Sequence, residues 1–257
     1  MSSKIVLPIA LLIALSNPAA AIEALLPRHP APSPDGSTIA FSWQGDLWLV
    51  PATGGDARRI TAHPANERRP VWSKDGSMLA FASDRHGSFD VFVMPSDGSA
   101  PPNRLTHASL TDIPTDFTAD GSAVLFHSRR GGGISFMVEL LLVPTTGGTP
   151  RLAQEAFGEA GAYSPDGNLT AFVRGSTKWY RRGYRGAANR DIWLASGDGT
   201  FRQLTTFDGD DDDPSWIGAT SLAYLSARSG RKNVFVLDIT TGESRQLTSH
   251  DGSAVRN

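Results

Sequence analysis

An all-β chain, folded as a β-propeller of four-stranded blades with five recognisable blades and the start of a sixth, is the architecture this sequence predicts. Three features predict it. A Ser/Thr-x-Asp-Gly turn returns at Asp35-Gly36, Asp75-Gly76, Asp120-Gly121 and Asp166-Gly167, its glycines 40, 45 and 46 residues apart. Short apolar segments follow each turn, and most units close on a Leu/Ile-Thr signature. A period of about 40 to 50 residues built of strands is that of radially stacked sheets, whose apolar faces are covered by their neighbours. A single β-sandwich gives no reason for the same signature to recur.

The elements follow from the residues in order. Asp-Gly suits a tight hairpin because both residues tolerate positive φ. After it come Ile39-Ala40-Phe41-Ser42, Leu79-Ala80-Phe81-Ala82-Ser83, Val124-Leu125-Phe126-His127-Ser128 and Leu169-Thr170-Ala171-Phe172-Val173. The next strands are Asp46-Leu47-Trp48-Leu49-Val50, Asp90-Val91-Phe92-Val93-Met94, Leu140-Leu141-Leu142-Val143, Asp191-Ile192-Trp193-Leu194 and Asn233-Val234-Phe235-Val236-Leu237. Such near-continuous apolar runs belong to strands buried on both faces. Gly-rich turns such as Thr53-Gly54-Gly55 and Gly197-Asp198-Gly199 lead to the closing strands, which end in Arg59-Ile60-Thr61, Arg104-Leu105-Thr106, Gln203-Leu204-Thr205 and Gln246-Leu247-Thr248. Arg151-Leu152 is a degenerate member. The fifth unit begins at Pro214-Ser215-Trp216 and has lost its Asp-Gly turn, yet keeps Leu222-Ala223-Tyr224-Leu225-Ser226. The blades are expected at about 25–65, 66–110, 111–155, 156–208 and 209–250, with an incomplete sixth from 251.

Composition narrows the function. The chain has 257 residues, 24 Lys plus Arg against 26 Asp plus Glu, a formal net charge of -2 and no Cys. Disulfides, zinc ribbons, iron–sulfur sites and thiol nucleophiles are thereby excluded. The balanced charge argues against nucleic acid as a partner. Gly and Pro make up about one residue in six, against about one in eight on average, which fits many turns. At the N-terminus, Lys4, the apolar run Ile5 to Leu15 and Ala19-Ala20-Ala21 read as a signal peptide over residues 1–21. The run is shorter than the ~20 residues that cross a bilayer. A periplasmic or secreted protein with no membrane span after cleavage is expected.

Candidate chemistry is sparse. The six histidines, His29, His63, His86, His107, His127 and His250, lie near turns and strand ends, and no Gly-x-Ser-x-Gly elbow accompanies them. No catalytic residue, metal ligand set or cofactor site is assigned. The run Asp208-Gly209-Asp210-Asp211-Asp212-Asp213 lacks the calcium-loop spacing and reads as a solvated acidic loop between the fourth and fifth blades. The insertion from Gly175 to Arg190 is the candidate binding element. Its Lys178, Trp179, Tyr180, Arg181, Arg182, Tyr184 and Arg185 combine guanidinium groups, which take carboxylates bidentately, with rigid aromatic area. It suits an acidic peptide, a protein partner or a second copy of the chain. The alternative is that the loop packs on the acidic run and touches no ligand.

Beyond the repeat, Gly45-Asp46-Leu47-Trp48-Leu49-Val50-Pro51, Gly54-Gly55-Asp56-Ala57-Arg58-Arg59-Ile60-Thr61 and Ser83-Asp84-Arg85-His86-Gly87 resemble the amino-terminal propeller of tricorn-type proteases. Lys178-Trp179-Tyr180-Arg181-Arg182-Gly183-Tyr184-Arg185-Gly186 leading into Asp191-Ile192-Trp193 is the more specific match. The TolB propeller and the propellers of prolyl oligopeptidases are more distant relatives. The resemblance covers residues 25 to 250. It implies a non-catalytic propeller that screens or channels peptides or scaffolds an assembly, with the catalytic serine and histidine of a serine peptidase downstream of Asn257. A TolB-like module that binds a periplasmic protein and has no enzymatic activity is the alternative.

Overall fold

In a computed structural model of the chain, residues 23–130, 137–177 and 184–251 are described. The expected signal segment, the residues Lys178, Trp179, Tyr180, Arg181 and Arg182, and residues 252–257 lie outside them. The described residues form twenty strands and no helix, and so contain no helix long and apolar enough to cross a membrane.

The strands make five antiparallel sheets, each in sequential order. The first holds β1 (Arg28–Pro32), β2 (Thr38–Trp43), β3 (Asp46–Pro51) and β4 (Arg58–Arg59). The second holds β5 (Glu67–Trp72), β6 (Met78–His86), β7 (Ser88–Pro95) and β8 (Asn103–Arg104). The third is β9 (Asp112–Phe117), β10 (Ala123–Ser128), β11 (Glu139–Pro144) and β12 (Arg151–Phe157). The fourth is β13 (Glu159–Tyr163), β14 (Leu169–Arg174), β15 (Asp191–Ser196) and β16 (Phe201–Gln203). The fifth is β17 (Asp211–Trp216), β18 (Ser221–Ser226), β19 (Asn233–Asp238) and β20 (Ser244–Gln246). This is a propeller with five blades.

The first strand of each blade has no alternating apolar pattern, which is why periodicity does not reveal it. Segments such as Arg-His-Pro-Ala-Pro and Asp-Asp-Asp-Pro-Ser-Trp are polar and carry proline. These strands pack against one another in turn, β1 on β5, β5 on β9, β9 on β13 and β13 on β17, around the axis of the molecule. All five pair with their second strand through a bulge. At that bulge His29, Arg69, Ala160 and Asp213 take positive φ of 52°, 55°, 53° and 48°. A bulge re-aims a side chain at the expense of a ladder bond, and here it does so at matching levels of several inner strands.

Apolar clusters join each blade to the next. Ala40, Leu47 and Leu49 meet Leu79, Phe81, Phe92 and Met94; Val91 and Val93 meet Phe117, Val124 and Phe126. Leu125, Leu140 and Leu142 meet Phe172, and Ile192 and Leu194 meet Leu222, Tyr224, Phe235 and Leu237. Gly161 lets β13 approach blade 3, since a Cβ there would stand 2.8 Å from Leu125 and 2.9 Å from Leu140. Polar contacts tie the inner strands as well. The indole N–H of Trp72 donates to Ala31 O at 2.9 Å, and that of Trp216 to Ala162 O at 3.0 Å. Buried Asp116 accepts from Lys74 of blade 2 at 2.8 Å and from the Tyr163 N–H of blade 4 at 2.8 Å.

The Asp-Gly turns share one construction. Ser33 Oγ donates to Asp35 Oδ1 at 2.5 Å and accepts from Thr38 N at 3.0 Å, while the Ser37 N–H donates to Asp35 Oδ1 at 3.0 Å. Ser73, Asp75 and Ser77 repeat this, as do Thr118, Asp120 and Ser122. The glycine of each turn has φ between 69° and 75°, a region that costs an L-residue about 1 kcal/mol or more. Hydrogen bonds from these hydroxyls and N–H groups hold Asp35, Asp75 and Asp120 down at about 2. A depressed carboxyl pKa contributes stability that is present above the unfolded value and lost as pH falls through the folded one. Acid titration of the melting temperature between pH 4 and pH 2 is therefore expected to show a loss of stability that is smaller in D75A than in the parent chain.

Candidate functional site

Antiparallel order sorts the connections onto two ends of the propeller. The turns between first and second strands and between third and fourth strands lie at one end. At the other end lie the starts of the inner strands, the connections between blades and the loops between second and third strands, including 175–190. That loop-bearing end gathers nearly all the buried charge.

A polar junction recurs there between neighbouring blades. Thr61 Oγ1 accepts from Leu47 N at 2.9 Å and touches Asp46 Oδ1 at 3.5 Å, while Arg59 bridges Asp46 at 2.5 Å and donates from Nε to Thr61 O at 2.8 Å. The Thr61 hydroxyl also helps to hold down the pKa of Glu67, the first residue of blade 2, whose Oε2 is buried without a hydrogen-bond partner among the described residues. Glu67 N donates to Gly45 O at 2.7 Å, and its carboxylate pairs with Arg85, which also holds Ser83. Arg85 lies 4.7 Å from the Phe92 ring centroid.

Asp90, Arg104 and Thr106 repeat the first half in blade 2, and Asp112 with Arg130 repeats the second half in blade 3. Blades 4 and 5 combine Asp191, Gln203 and Thr205 with Asp211, Arg228 and Ser226. The third blade has no such Thr, which accounts for its degenerate signature, and its β12 runs on for seven residues. Burial raises Glu67, Asp90 and Asp211, with Arg85, Arg104 and Arg228 respectively opposing it. Asp191, whose signature partner is Gln203 rather than Arg, is pushed up to about 6 by burial and by the neighbouring Asp211 carboxylate.

A second cluster surrounds the mouth of the central channel. Arg69 of blade 2 reaches Asp213 of blade 5 at 3.8 Å across the axis. Arg190 pairs with both Glu159 and Asp212, and Lys232 pairs with Asp212. On the opposite side Arg68 lies 3.5 Å over the Phe89 ring, and its buried Nε and the buried Nδ1 of His29 have no partner among the described residues. Burial, followed by the charges of Arg69, Arg68 and Arg28, lowers His29 to about 4 and keeps it neutral at physiological pH. Burial likewise lowers His127 to about 4, against the opposing pull of Glu159; its Nδ1 faces Ala160 N at 3.5 Å. The mouth is therefore cationic on blades 1 and 2 and rich in paired carboxylates on blades 4 and 5.

The acidic run is a loop between the fourth and fifth blades only in its first half, Asp208 to Asp210, where Asp208 is exposed. Asp211, Asp212 and Asp213 belong to the inner strand β17, and Asp211 is fully buried. Arg228, Lys232, Arg190 and Arg69 supply the cations that make this possible. Sequence reading missed this because the arginines and the lysine that neutralise the run lie 17 residues or more away from their partners. Among the candidate binding residues, Tyr184 and Arg185 are described. The Tyr184 hydroxyl accepts from Ala188 N at 3.4 Å. Arg185 is exposed and stands 3.9 Å from Asp208, and Gly186 N donates to Asp208 at 3.0 Å. Asn189 Nδ2 donates to Phe207 O at 2.8 Å, and Arg190 N to Asp210 at 3.1 Å. The described end of the insertion is thus anchored on residues 207–212. The repeated histidines act through the backbone: His63 N and His250 N donate to Asp46 and Asn233.

Residues 24–257 match the tricorn protease N-terminal β-propeller domain. Tricorn protease homolog 1 of Streptomyces coelicolor is 31% identical over 229 residues, which are 88% of this chain and 21% of that protein. The chain thus spans about a fifth of that relative's length. Among solved structures, the tricorn protease superposes with a TM-score of 0.78 at 19% identity, covering 89% of this chain and 23% of that one. TolB from Acinetobacter baumannii superposes with a TM-score of 0.69 at 21% identity, covering 87% and 54%.

Among the described residues Arg190 is the cation shared by two carboxylates at the mouth, so its removal leaves Glu159 without its partner and Asp212 with Lys232 alone. R190A is expected to lower the unfolding free energy by about 3 kcal/mol in urea titration; a loss under about 0.5 kcal/mol would show that Lys232 and solvent suffice.

Proposed function

The chain belongs to the tricorn protease N-terminal β-propeller family, and from that premise we propose that it is the non-catalytic propeller of an exported tricorn-like serine peptidase. Its role is to screen or channel peptides toward catalytic residues that other parts of the protein supply. The observation that carries this reading is the divided charge of the channel mouth, with Arg28, Arg68 and Arg69 on one side and Glu159, Asp212 and Asp213 on the other. With Glu159, Asp212 and Asp213 paired to Arg190, Lys232 and Arg69, it is the arginine side that offers the acidic end of an extended peptide complementary contacts, and electrostatic complementarity of this kind governs orientation and on-rate more than raw affinity. The insertion from 175 to 190 returns to β15 through Arg190, so Lys178, Trp179, Tyr180, Arg181, Arg182, Tyr184 and Arg185 belong to the connection that ends at the mouth. Export rests on the leader-like residues 1–21.

The likeness to TolB supports a second reading, a propeller that captures a folded protein partner and has no part in peptide hydrolysis. The two differ in what the mouth binds. Fluorescence anisotropy with labelled peptides of mixed charge is expected to show saturable binding that weakens with salt and falls several-fold in the R68A/R69A double variant. Absence of saturable peptide binding by the parent chain would overturn the peptide reading.

A further inference from the structure

The repeated junctions follow a matching rule, and one of them breaks it. In blades 1 and 2 the acid near the start of the third strand faces an arginine of the closing strand, Asp46 with Arg59 and Asp90 with Arg104. In blade 5 both partners are neutral, Asn233 with Gln246. In blade 4 the arginine has become Gln203 while the acid, Asp191, is retained. The rest of the geometry is unchanged. Gln203 Nε2 donates to Thr205 O at 2.8 Å, as Arg59 Nε does to Thr61 O and Arg104 Nε to Thr106 O. Thr205 Oγ1 still caps Ile192 N at 3.0 Å and meets Asp191 at 3.4 Å.

No other cation takes the missing place among the described residues. On β14, Arg174 is the register partner of Asp191, but its guanidinium lies 4.7 Å from the Trp193 ring centroid. Arg190, just before Asp191, is committed to Glu159 and Asp212. On the blade 5 side, Arg228 is committed to Asp211. Asp210 and Asp211 add negative charge from the segment packed against the joint. The polar neighbours left to Asp191 are Thr205, Gln203 and, at 3.5 Å, Asn189 Nδ2. A carboxylate crowded by carboxylates and without a cation binds a proton readily.

We infer that the joint between the fourth and fifth blades is proton-sensitive: a proton on Asp191 seats blade 5 against blade 4, and its loss loosens that contact. The joint also positions the channel mouth, because Asp211 N donates to Arg190 O at 2.8 Å and the Arg190 side chain holds Glu159 and Asp212. Acidification of the surroundings would therefore tighten the fifth blade and fix the acidic side of the mouth.

The sign follows from linkage. A folded-state pKa raised above the unfolded value contributes stability that is full below the unfolded value and lost as pH rises through the folded one. For Asp191 that loss is centred near pH 6. His29 and His127, held neutral in the fold, act in the opposite direction below their ordinary value of 6.5, so the overall pH profile does not isolate the joint. The difference between variants does. D191N mimics the protonated acid, and Q203R restores the arginine that blades 1 and 2 use in the same setting.

Urea unfolding of the parent chain, D191N and Q203R at pH 7.5 and pH 5.0 tests the inference. Each variant is expected to raise the folded-to-unfolded ratio at pH 7.5 by about tenfold, the equivalent of about one pKa unit once partial exposure of Asp191 is allowed for. The advantage of D191N is expected to vanish at pH 5.0 and that of Q203R to shrink. Should D191N fail to fold, Q203R reads the same difference. Variants no more stable than the parent at pH 7.5, or an advantage of equal size at both pH values, would overturn the inference.

Discussion

A threonine hydroxyl placed between two carboxylates is the constraint on which this propeller depends. In Thr61 and Thr205 it caps the N–H of the second residue of the third strand, meets the acid of its own blade and helps to hold down the pKa of the acid that opens the next. Burying carboxylates is costly unless each has a cation or donors close by, and arginines at or just after the end of the second strand and on the closing strand meet that requirement for Asp46, Glu67, Asp90, Asp112 and Asp211, though not for Asp191. The apolar faces between blades supply most of the buried area, with close fits such as Gly161 against Leu125 and Leu140. The polar junction adds a further penalty on displacement, because a shifted blade would leave charged groups buried and unpaired. Hydrophobic area thus drives stacking, while the junction helps to decide where one blade sits on the next.

The same logic extends to the channel. The inner strands are too polar to be held by a core of their own, and they rest on contacts such as Trp72 to Ala31 and Asp116 to Lys74 and Tyr163. Their bulges turn Arg69 and Asp213 toward one another across the axis. What the propeller presents at its loop-bearing end is consequently a fixed pattern of charge, with His29 and His127 kept neutral by burial and by the nearby arginines.

Much of this was legible in the residues. The Asp-Gly period and the apolar second and third strands locate five blades because hairpin turns and doubly buried strands have local signatures. The inner strands have none: Glu67–Trp72 and Asp211–Trp216 become strands through pairing and ion pairs with residues distant in sequence. For that reason the aspartates after Gly209 read as loop although Asp211 is fully buried. The Leu/Ile-Thr signature was visible as a repeat, but its meaning lay in Asp46, Glu67 and Arg85, which no local window brings together. The basic and aromatic insertion was equally visible, and its end at Tyr184 to Arg190 proves to be fastened to residues 207–212, whose role as an anchor only the fold reveals.

The most direct test of the threonine-centred junction is a double-mutant cycle in urea between Thr61→Val and Glu67→Gln, residues of adjacent blades. The account predicts a coupling of about 1 kcal/mol, because each side chain serves the other across the blade boundary. Effects that add to within about 0.3 kcal/mol would contradict it, and would mean that apolar packing alone sets the stacking of the blades.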